Sequence, residues 1–202
     1  LDQVTNISPG GFDRFVSRVR GLPEFDYELP AVTMLEEILT PGQGQIRLMF
    51  TAAGNPVLST PNGSALDKAL ETVDFMISLD PALNETTRHA DLILPPTSPL
   101  EHDHYDLVFH VFAVRNTVRF NRPIFEKPAE ALHDWEIFSE LGDRVAKRLG
   151  LESIPLIAPD QIVDRGLRGG AYGDGSEWQL SIEKLKNSPS GIDLGPLRPQ
   201  CP

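Results

Sequence analysis

The residues best suited to chemistry lie between Ile46 and Glu101, at the ends of apolar runs. The first run, Ile46-Phe50, empties into Thr51-Ala52-Ala53-Gly54-Asn55-Pro56. Ala52, Ala53 and Gly54 are small enough for backbone N–H groups to approach a phosphate. A second run, Phe75-Met76-Ile77-Ser78-Leu79, ends on Asp80. A carboxylate there can accept two hydrogen bonds, and both the donor edge of guanine and a ribose diol offer such a pair. Each element has a plainer reading, since Gly-Asn-Pro makes a tight turn and Asp80-Pro81 is a turn-forming pair. Together, one strand-helix-strand unit apart, they favour a nucleotide contact through Ala53, Gly54, Asn55, Pro56 and Asp80. Asn84 either joins Asp80 or caps a short helix over Glu85-His89, and the two roles are compatible because a helix N-terminus also attracts phosphate.

Other clusters carry less. Arg88 could meet a phosphate or pair with Glu85 one turn back. Glu85 and Asp91 are expected to be structural. Glu101-His102-Asp103-His104-Tyr105-Asp106 is dense in ligand-type side chains, and His102 and His104 would share one face of a strand. Two histidines beside carboxylates on a loop are usually solvated, and no metal is assigned to them. Ser98, His110 and Asp134 could form a hydrolase triad on paper, but no Gly-x-Ser-x-Gly elbow accompanies them. No Gly-x-Gly-x-x-Gly follows the first strand, which disfavours an ordinary NAD site.

These residues need a scaffold of alternating strands and helices. Near-continuous apolar strands at Ile46-Phe50, Phe75-Leu79 and Leu92-Leu94 predict neighbouring parallel strands. Right-handed crossovers then bring Thr51-Pro56, Asp80 and the Pro95 end to one edge. Leu66, Leu70 and Val73 form the buried side of the intervening helix. The expected fold class is α/β, a three-layer sandwich around a short parallel sheet, with a helical lead-in and an irregular C-terminal linker. The divisions expected are a lead-in over 1–42, the α/β domain over 43–154 and the linker over 155–202.

Within the lead-in, Phe12, Phe15, Val16 and Val19 predict a helix beginning at Gly10-Gly11, and Pro30 opens a second that Pro41-Gly42 stops. Val108-Phe120 reads as a strand or ribbon. Glu130-Leu149 is predicted helical, with Leu132, Trp135, Phe138, Leu141, Val145 and Leu149 as its stripe and Gly150 as its stop. Trp135 and Phe138 are expected to be buried against the strands. Short helices are expected at Ile162-Leu167 and Leu180-Leu185.

Composition narrows the class. The chain has 202 residues, is 40% hydrophobic and carries a net charge of -11, so a polyphosphate backbone would be repelled and nucleic acid is not an expected partner. No apolar run is long enough to span a bilayer. Leu1-Asp2-Gln3-Val4 has neither the basic nor the apolar region of a signal peptide, and a cytoplasmic location is favoured. With no initiator Met, the sequence reads as a piece of something longer. The single cysteine, Cys201, cannot build a disulfide, a zinc site or an iron–sulfur centre within this chain.

In order, Gly54-Asn55-Pro56, Asp80, Glu85-Thr86, Ala90-Asp91, Leu94-Pro95 and Glu101 resemble the pattern of the molybdopterin oxidoreductases, the family of formate dehydrogenases, nitrate reductases and dimethyl sulfoxide reductase. The similarity extends loosely through Trp135 to Gly191-Ile192-Asp193-Leu194-Gly195-Pro196-Leu197, which looks like the linker before the family's last domain. After Glu101 the chain departs from the pattern, with His-Tyr in place of Gly-Thr and Arg115-Asn116 later than usual. The resemblance implies an excised domain holding one arm of a molybdopterin guanine dinucleotide cofactor of molybdenum or tungsten. It implies that Asp80 reads the guanine and that Asn84 joins it. It further implies a parent oxidoreductase, a fragment inactive alone and empty of cofactor, and partners among the remaining parent domains and iron–sulfur electron-transfer subunits. Two alternatives stay open: a structural domain of the family that has lost its cofactor, and a free-standing nucleotide-dependent α/β enzyme. Gly54, Asn55 and Asp80 argue against the first, and the missing catalytic motif against the second.

Overall fold

The computed structural model describes residues 11–107, 109–153 and 156–196. Leu1-Asp2-Gln3-Val4, Gly10, Val108, Pro155, Leu197 and Cys201, which figured in the sequence reading, lie outside these. Contacts divide the chain into two compact units, one ending at Pro96 and the other starting at Thr97.

The first unit opens with a correction. The stripe at Phe12, Phe15, Val16 and Val19 is not a helix: β1 (Phe12–Val16) pairs antiparallel with β2 (Pro23–Phe25). Asp13 sits at φ +56°, a left-handed conformation that interrupts any helix. The long-range cause is Glu24, which is fully buried in β2. Its carboxylate accepts the Arg14 N–H at 2.8 Å, the Arg14 Nε–H at 2.8 Å and the Tyr27 N–H at 3.2 Å. Burial pushes this carboxyl up, but the hydrogen bonds from Arg14 and Tyr27 outweigh burial and hold it below the usual glutamate range. The turn after β1 is fastened to α1 (Met34–Leu39), where Glu37 accepts the Val19 N–H at 2.9 Å and the Arg18 Nε–H at 3.0 Å. A 3-10 turn, Ala31–Thr33, follows Pro30 and leads into α1, as the sequence predicts.

The centre of the unit is a three-stranded parallel sheet in the order β3 (Leu48–Ala52), β4 (Phe75–Leu79), β5 (Leu92–Ile93). The expected parallel pairing is present, with Leu48 opposite Phe75 and Ile77 opposite Leu92, but the first strand runs two residues later than the expected Ile46-Phe50, so Thr51 and Ala52 belong to it and not to the loop. Two helices, α2 (Pro56–Ser59) and α3 (Gly63–Leu70), make the crossover from β3 to β4. Leu66, Ala69 and Leu70 of α3 bury against Ile38 of α1 and Met76 of β4. Each large aliphatic side chain so buried contributes about 2 kcal/mol. Gly63 is sterically required, because a Cβ there would stand 1.9 Å from the Val57 carbonyl oxygen. On the opposite pleat of the sheet Leu48, Phe75 and Leu92 remain exposed.

The second unit is held by short antiparallel pairs, β6 (His104–Tyr105) with β8 (Phe120–Asn121) and β7 (Thr117–Val118) with β9 (Ile192–Asp193). The long strand expected over Val108-Phe120 is instead a 3-10 turn at Phe109–Phe112 followed by β7 and β8. Phe109, Phe112 and Val114 stay exposed, since an apolar β-prone stretch forms a strand only where an edge is available to pair with it. Helix α4 (Asp134–Leu149) follows the predicted period and ends at Gly150 in the left-handed conformation. Its phase differs from expectation: Ile137 is the buried residue, Trp135 is half-buried, and Phe138 is 46% exposed. Beyond it, α5 (Pro159–Gly169) and α6 (Ile182–Lys186) are the two short helices expected. Leu180, Leu185 and Leu194 form a core with Val118 and Phe120.

Candidate functional site

The crossover geometry brings the β3 loop, the end of β4 and the turn at 84–89 to the carboxyl edge of the parallel sheet. The strands are registered there by a buried hydrogen bond of 2.8 Å between the Thr51 and Ser78 hydroxyls. Ala53 then donates its N–H to the Leu79 carbonyl at 2.9 Å and turns the chain with φ +50°. A left-handed alanine costs about 1 kcal/mol, which this loop sustains beside the site. Gly54 needs no glycine for internal packing, because an added Cβ would meet only the Ala52 carbonyl oxygen at 3.6 Å. The N–H groups of Gly54 and Asn55 donate to no other group among the described residues. Pro56 opens α2, where its missing N–H costs nothing.

The Asn55 side chain is engaged at both ends. Its Nδ2 donates to Glu85 Oε2 at 2.7 Å, and its Oδ1 accepts from the Thr86 hydroxyl at 2.7 Å. The Thr86 oxygen also accepts the Val57 N–H at 3.1 Å. The Asn55 amide, and then Glu85's own N–H, hold the Glu85 carboxyl below its usual range. The Asn55 side chain thus ties the loop down and leaves its backbone N–H without a partner among the described residues.

Asp80 follows β4 directly. Its Oδ1 accepts the Ala82 N–H at 2.8 Å, and its Oδ2 has a long contact of 3.3 Å from Asn84 Nδ2. Asn84 performs the capping role: Oδ1 accepts the Thr86 and Thr87 N–H groups, each at 3.0 Å. The Thr87 hydroxyl returns the favour to the chain before it, accepting the Asn84 N–H at 2.8 Å and donating to the Ala82 carbonyl at 3.0 Å. Thr86 and Thr87 are both completely buried. Sequence reading passed over Thr87 and gave Thr86 no role. The signal was Asn84 two residues before a pair of hydroxyl side chains, a pattern that closes Asx turns.

The remaining candidates separate. Arg88 pairs with Asp67 and not with Glu85, donating to both oxygens of the Asp67 carboxylate at 2.5 and 2.6 Å. His89 joins the same carboxylate at 2.6 Å, and His89 and Arg88 together hold Asp67 below the usual aspartate range. Asp91 accepts the Met76 N–H at 2.8 Å, a structural role as expected. Glu101 closes a turn by accepting the Ser98 N–H at 2.8 Å. The Nδ1 of His102 lies 2.8 Å from the Asp103 carbonyl, and His104 starts the two-residue β6, so the two rings do not share a strand. Among the described residues no three histidine, cysteine, aspartate or glutamate side chains gather as a metal site. The paper triad is dispersed: His110 bonds Thr117 at 3.2 Å and Asp134 accepts the Trp135 N–H at 2.8 Å.

A short parallel sheet that gathers loops at its carboxyl edge is the arrangement in which open α/β domains bind ligands. The comparisons name the family. Residues 14–144 match the family model described as molybdopterin oxidoreductase, and the chain belongs to that family. It is similar to the assimilatory nitrate reductase catalytic subunit of Bacillus subtilis, 30% identical over 65% of this chain and 18% of that protein. It is similar to a nitrate reductase of Synechocystis, 30% identical over 100% of this chain and 24% of that protein. A dimethyl sulfoxide/trimethylamine N-oxide reductase of Cereibacter sphaeroides is 26% identical over 59% of this chain and 16% of that protein. The chain thus spans between 16% and 24% of the length of these relatives. Among the described residues no helix is long and apolar enough to cross a membrane.

Proposed function

We propose that this chain cradles one guanine dinucleotide arm of a bis(molybdopterin guanine dinucleotide) cofactor of molybdenum or tungsten inside a larger oxidoreductase. In this reading residues 43–154 are the cofactor-binding part, between a lead-in at 1–42 and a linker at 155–202. The observation that carries it is the pairing of opposite hydrogen-bonding characters on one sheet edge. Gly54 and Asn55, at the end of β3, present N–H donors that have no partner among the described residues, and Asp80 presents a carboxylate one strand away. Donors suit a diphosphate, and the carboxylate suits the adjacent N1–H and N2–H₂ of guanine. Arg88 is committed to Asp67, so phosphate would be held by backbone N–H groups and not by that guanidinium. When bound, the cofactor supplies the redox chemistry at its metal, and these residues bind and orient it. The proposed partners are the remaining domains of the parent enzyme and iron–sulfur electron-transfer subunits, in the cytoplasm.

Titration calorimetry with GDP and ADP on the wild type and on Asp80→Ala tests this. Hydrogen bonds to a charged acceptor contribute about 1.5–3 kcal/mol, so GDP should bind roughly ten- to a hundredfold more tightly than ADP. The variant should lose that preference. Equal binding of the two nucleotides by the wild type, or a preference that survives in Asp80→Ala, overturns the assignment. The isolated chain should also show no redox turnover and purify without stoichiometric molybdenum, tungsten or iron.

A further inference from the structure

The Thr86 hydroxyl stands between the two halves of the site. It is fully buried, it donates to Asn55 Oδ1, and it accepts the Val57 N–H. Its own N–H is held by Asn84 Oδ1, whose amide nitrogen reaches Asp80. One residue thereby joins the β3 loop to the turn that carries Asn84. We propose that Thr86 is a positioning residue that sets the Gly54 and Asn55 N–H donors for the diphosphate of a bound nucleotide, while leaving base recognition to Asp80. This rests on the nucleotide reading above and adds a division of labour to it.

The division follows from geometry. The unpaired N–H groups of Gly54 and Asn55 lie within three residues of Val57, so their direction depends on how the loop is anchored. The loop's side-chain anchors are the two bonds made by Thr86 and the bond from Asn55 to Glu85. Asp80 is anchored by the Ala82 N–H and by Asn84, which holds Thr86 through its main-chain N–H and not through its hydroxyl. Removing the hydroxyl should loosen donors meant for phosphate and leave the carboxylate meant for guanine in place. Asn55, in this account, acts on the ligand with its main chain, and its side chain serves the loop.

Thr86→Val keeps the shape and removes the hydroxyl; Thr86→Ser restores it. Calorimetry compares GDP with guanosine, which has the base and ribose but no phosphate. Hydrogen–deuterium exchange follows the Val57 amide. In Thr86→Val, GDP affinity should fall about five- to tenfold, while guanosine affinity is unchanged within about twofold. The Val57 amide should exchange faster, with the β3 and β4 amides still protected. Thr86→Ser should recover both properties. Loss of GDP and guanosine binding in equal measure would mean a merely structural residue and overturns the proposal. So does unchanged GDP affinity, or unchanged protection of Val57. If the wild type binds neither ligand, the nucleotide reading and this inference fall together. Wild-type binding with no effect of Thr86→Val defeats this inference alone. Should Thr86→Val fail to fold, Thr86→Ala, which also removes the hydroxyl and adds no charge, must show the selective loss of GDP or the proposal fails.

Discussion

Two stretches of this chain are rich in side chains that bind things, and they have opposite structures. At 80–87, Asp80, Asn84, Thr86 and Thr87 are laced to one another and to the 53–57 loop, with both threonines fully buried. At 101–106, two histidines and three acidic residues stand mostly on a short turn. Among the described residues Glu101 and His102 form side-chain hydrogen bonds to Ser98 and Asp103, the His102 ring also meets that of His133 edge to face, and Asp103 and His104 are exposed. The first stretch sits at the carboxyl end of a parallel sheet and inherits its rigidity. The second leads into a strand of two residues. Density of ligand-type residues says little by itself; what separates these stretches is whether a scaffold fixes their directions before a ligand arrives.

The sharpest way to break this contrast is to disturb the scaffold beneath the first stretch. Gly63→Ala places a Cβ against the Val57 carbonyl at the base of the loop. It should cost about 2–3 kcal/mol, as overpacking does, measured by urea denaturation. A loss below about 0.5 kcal/mol would show that the loop yields freely, which is the level expected of an open surface site. Next in size is Asn84→Ala, which removes the acceptor for the Thr86 and Thr87 N–H groups. Loss of such a cap should cost about 1 kcal/mol.

Acid should act on the laced stretch in a defined direction. The Glu85 carboxyl is held below its usual range, chiefly by the Asn55 amide. The unfolded chain therefore binds this proton more readily, so the stabilisation is complete above the unfolded value of about 4.3 and is lost as pH falls through the lower folded value. Amide exchange at Val57, read from pH 6 downward, should quicken relative to β3 below about pH 4. Glu85→Gln, which keeps an acceptor but cannot titrate, should flatten that change. An identical pH response in the variant would detach Glu85 from the loop. The smallest effect belongs to the second stretch, where His104→Ala should shift stability by no more than about 0.5 kcal/mol. A larger loss would mean that this turn too is a built structure.

The sheet was legible because its strands are apolar runs of the right length, and Leu48–Ala52, Phe75–Leu79 and Leu92–Ile93 pair in parallel as expected. Asp80 and the Ala53-Pro56 loop were placed at its edge by the same logic. The β1–β2 hairpin was not legible, because the helical spacing of Phe12, Phe15, Val16 and Val19 competes with a buried carboxylate ten residues away from Arg14. Local periodicity carries no record of such a partner. In α4 the period was readable but the phase was not. Ile137 turns inward while Phe138 does not, a choice made by what packs against the helix and not by the helix itself. The threonine lacing was hidden for a different reason: Thr is common in turns, and only coordinates reveal which carbonyl or amide its hydroxyl faces.

The hydrogen bonds through Thr86 also have a sense of travel. The Val57 N–H gives to the Thr86 oxygen, the Thr86 hydroxyl gives to Asn55 Oδ1, and Asn55 Nδ2 gives to Glu85. Each link points its hydrogen toward a carboxylate, which when ionised has none to donate in return. The chain starts at a main-chain donor that cannot be reversed and finishes at a group that can only receive. No second arrangement of its hydrogens satisfies every member, so the Asn55 amide cannot be turned over without leaving a clash of like groups. The loop is thus spared the rotational ambiguity that amides and hydroxyls bring to most polar networks, and it meets its ligand in a single wiring.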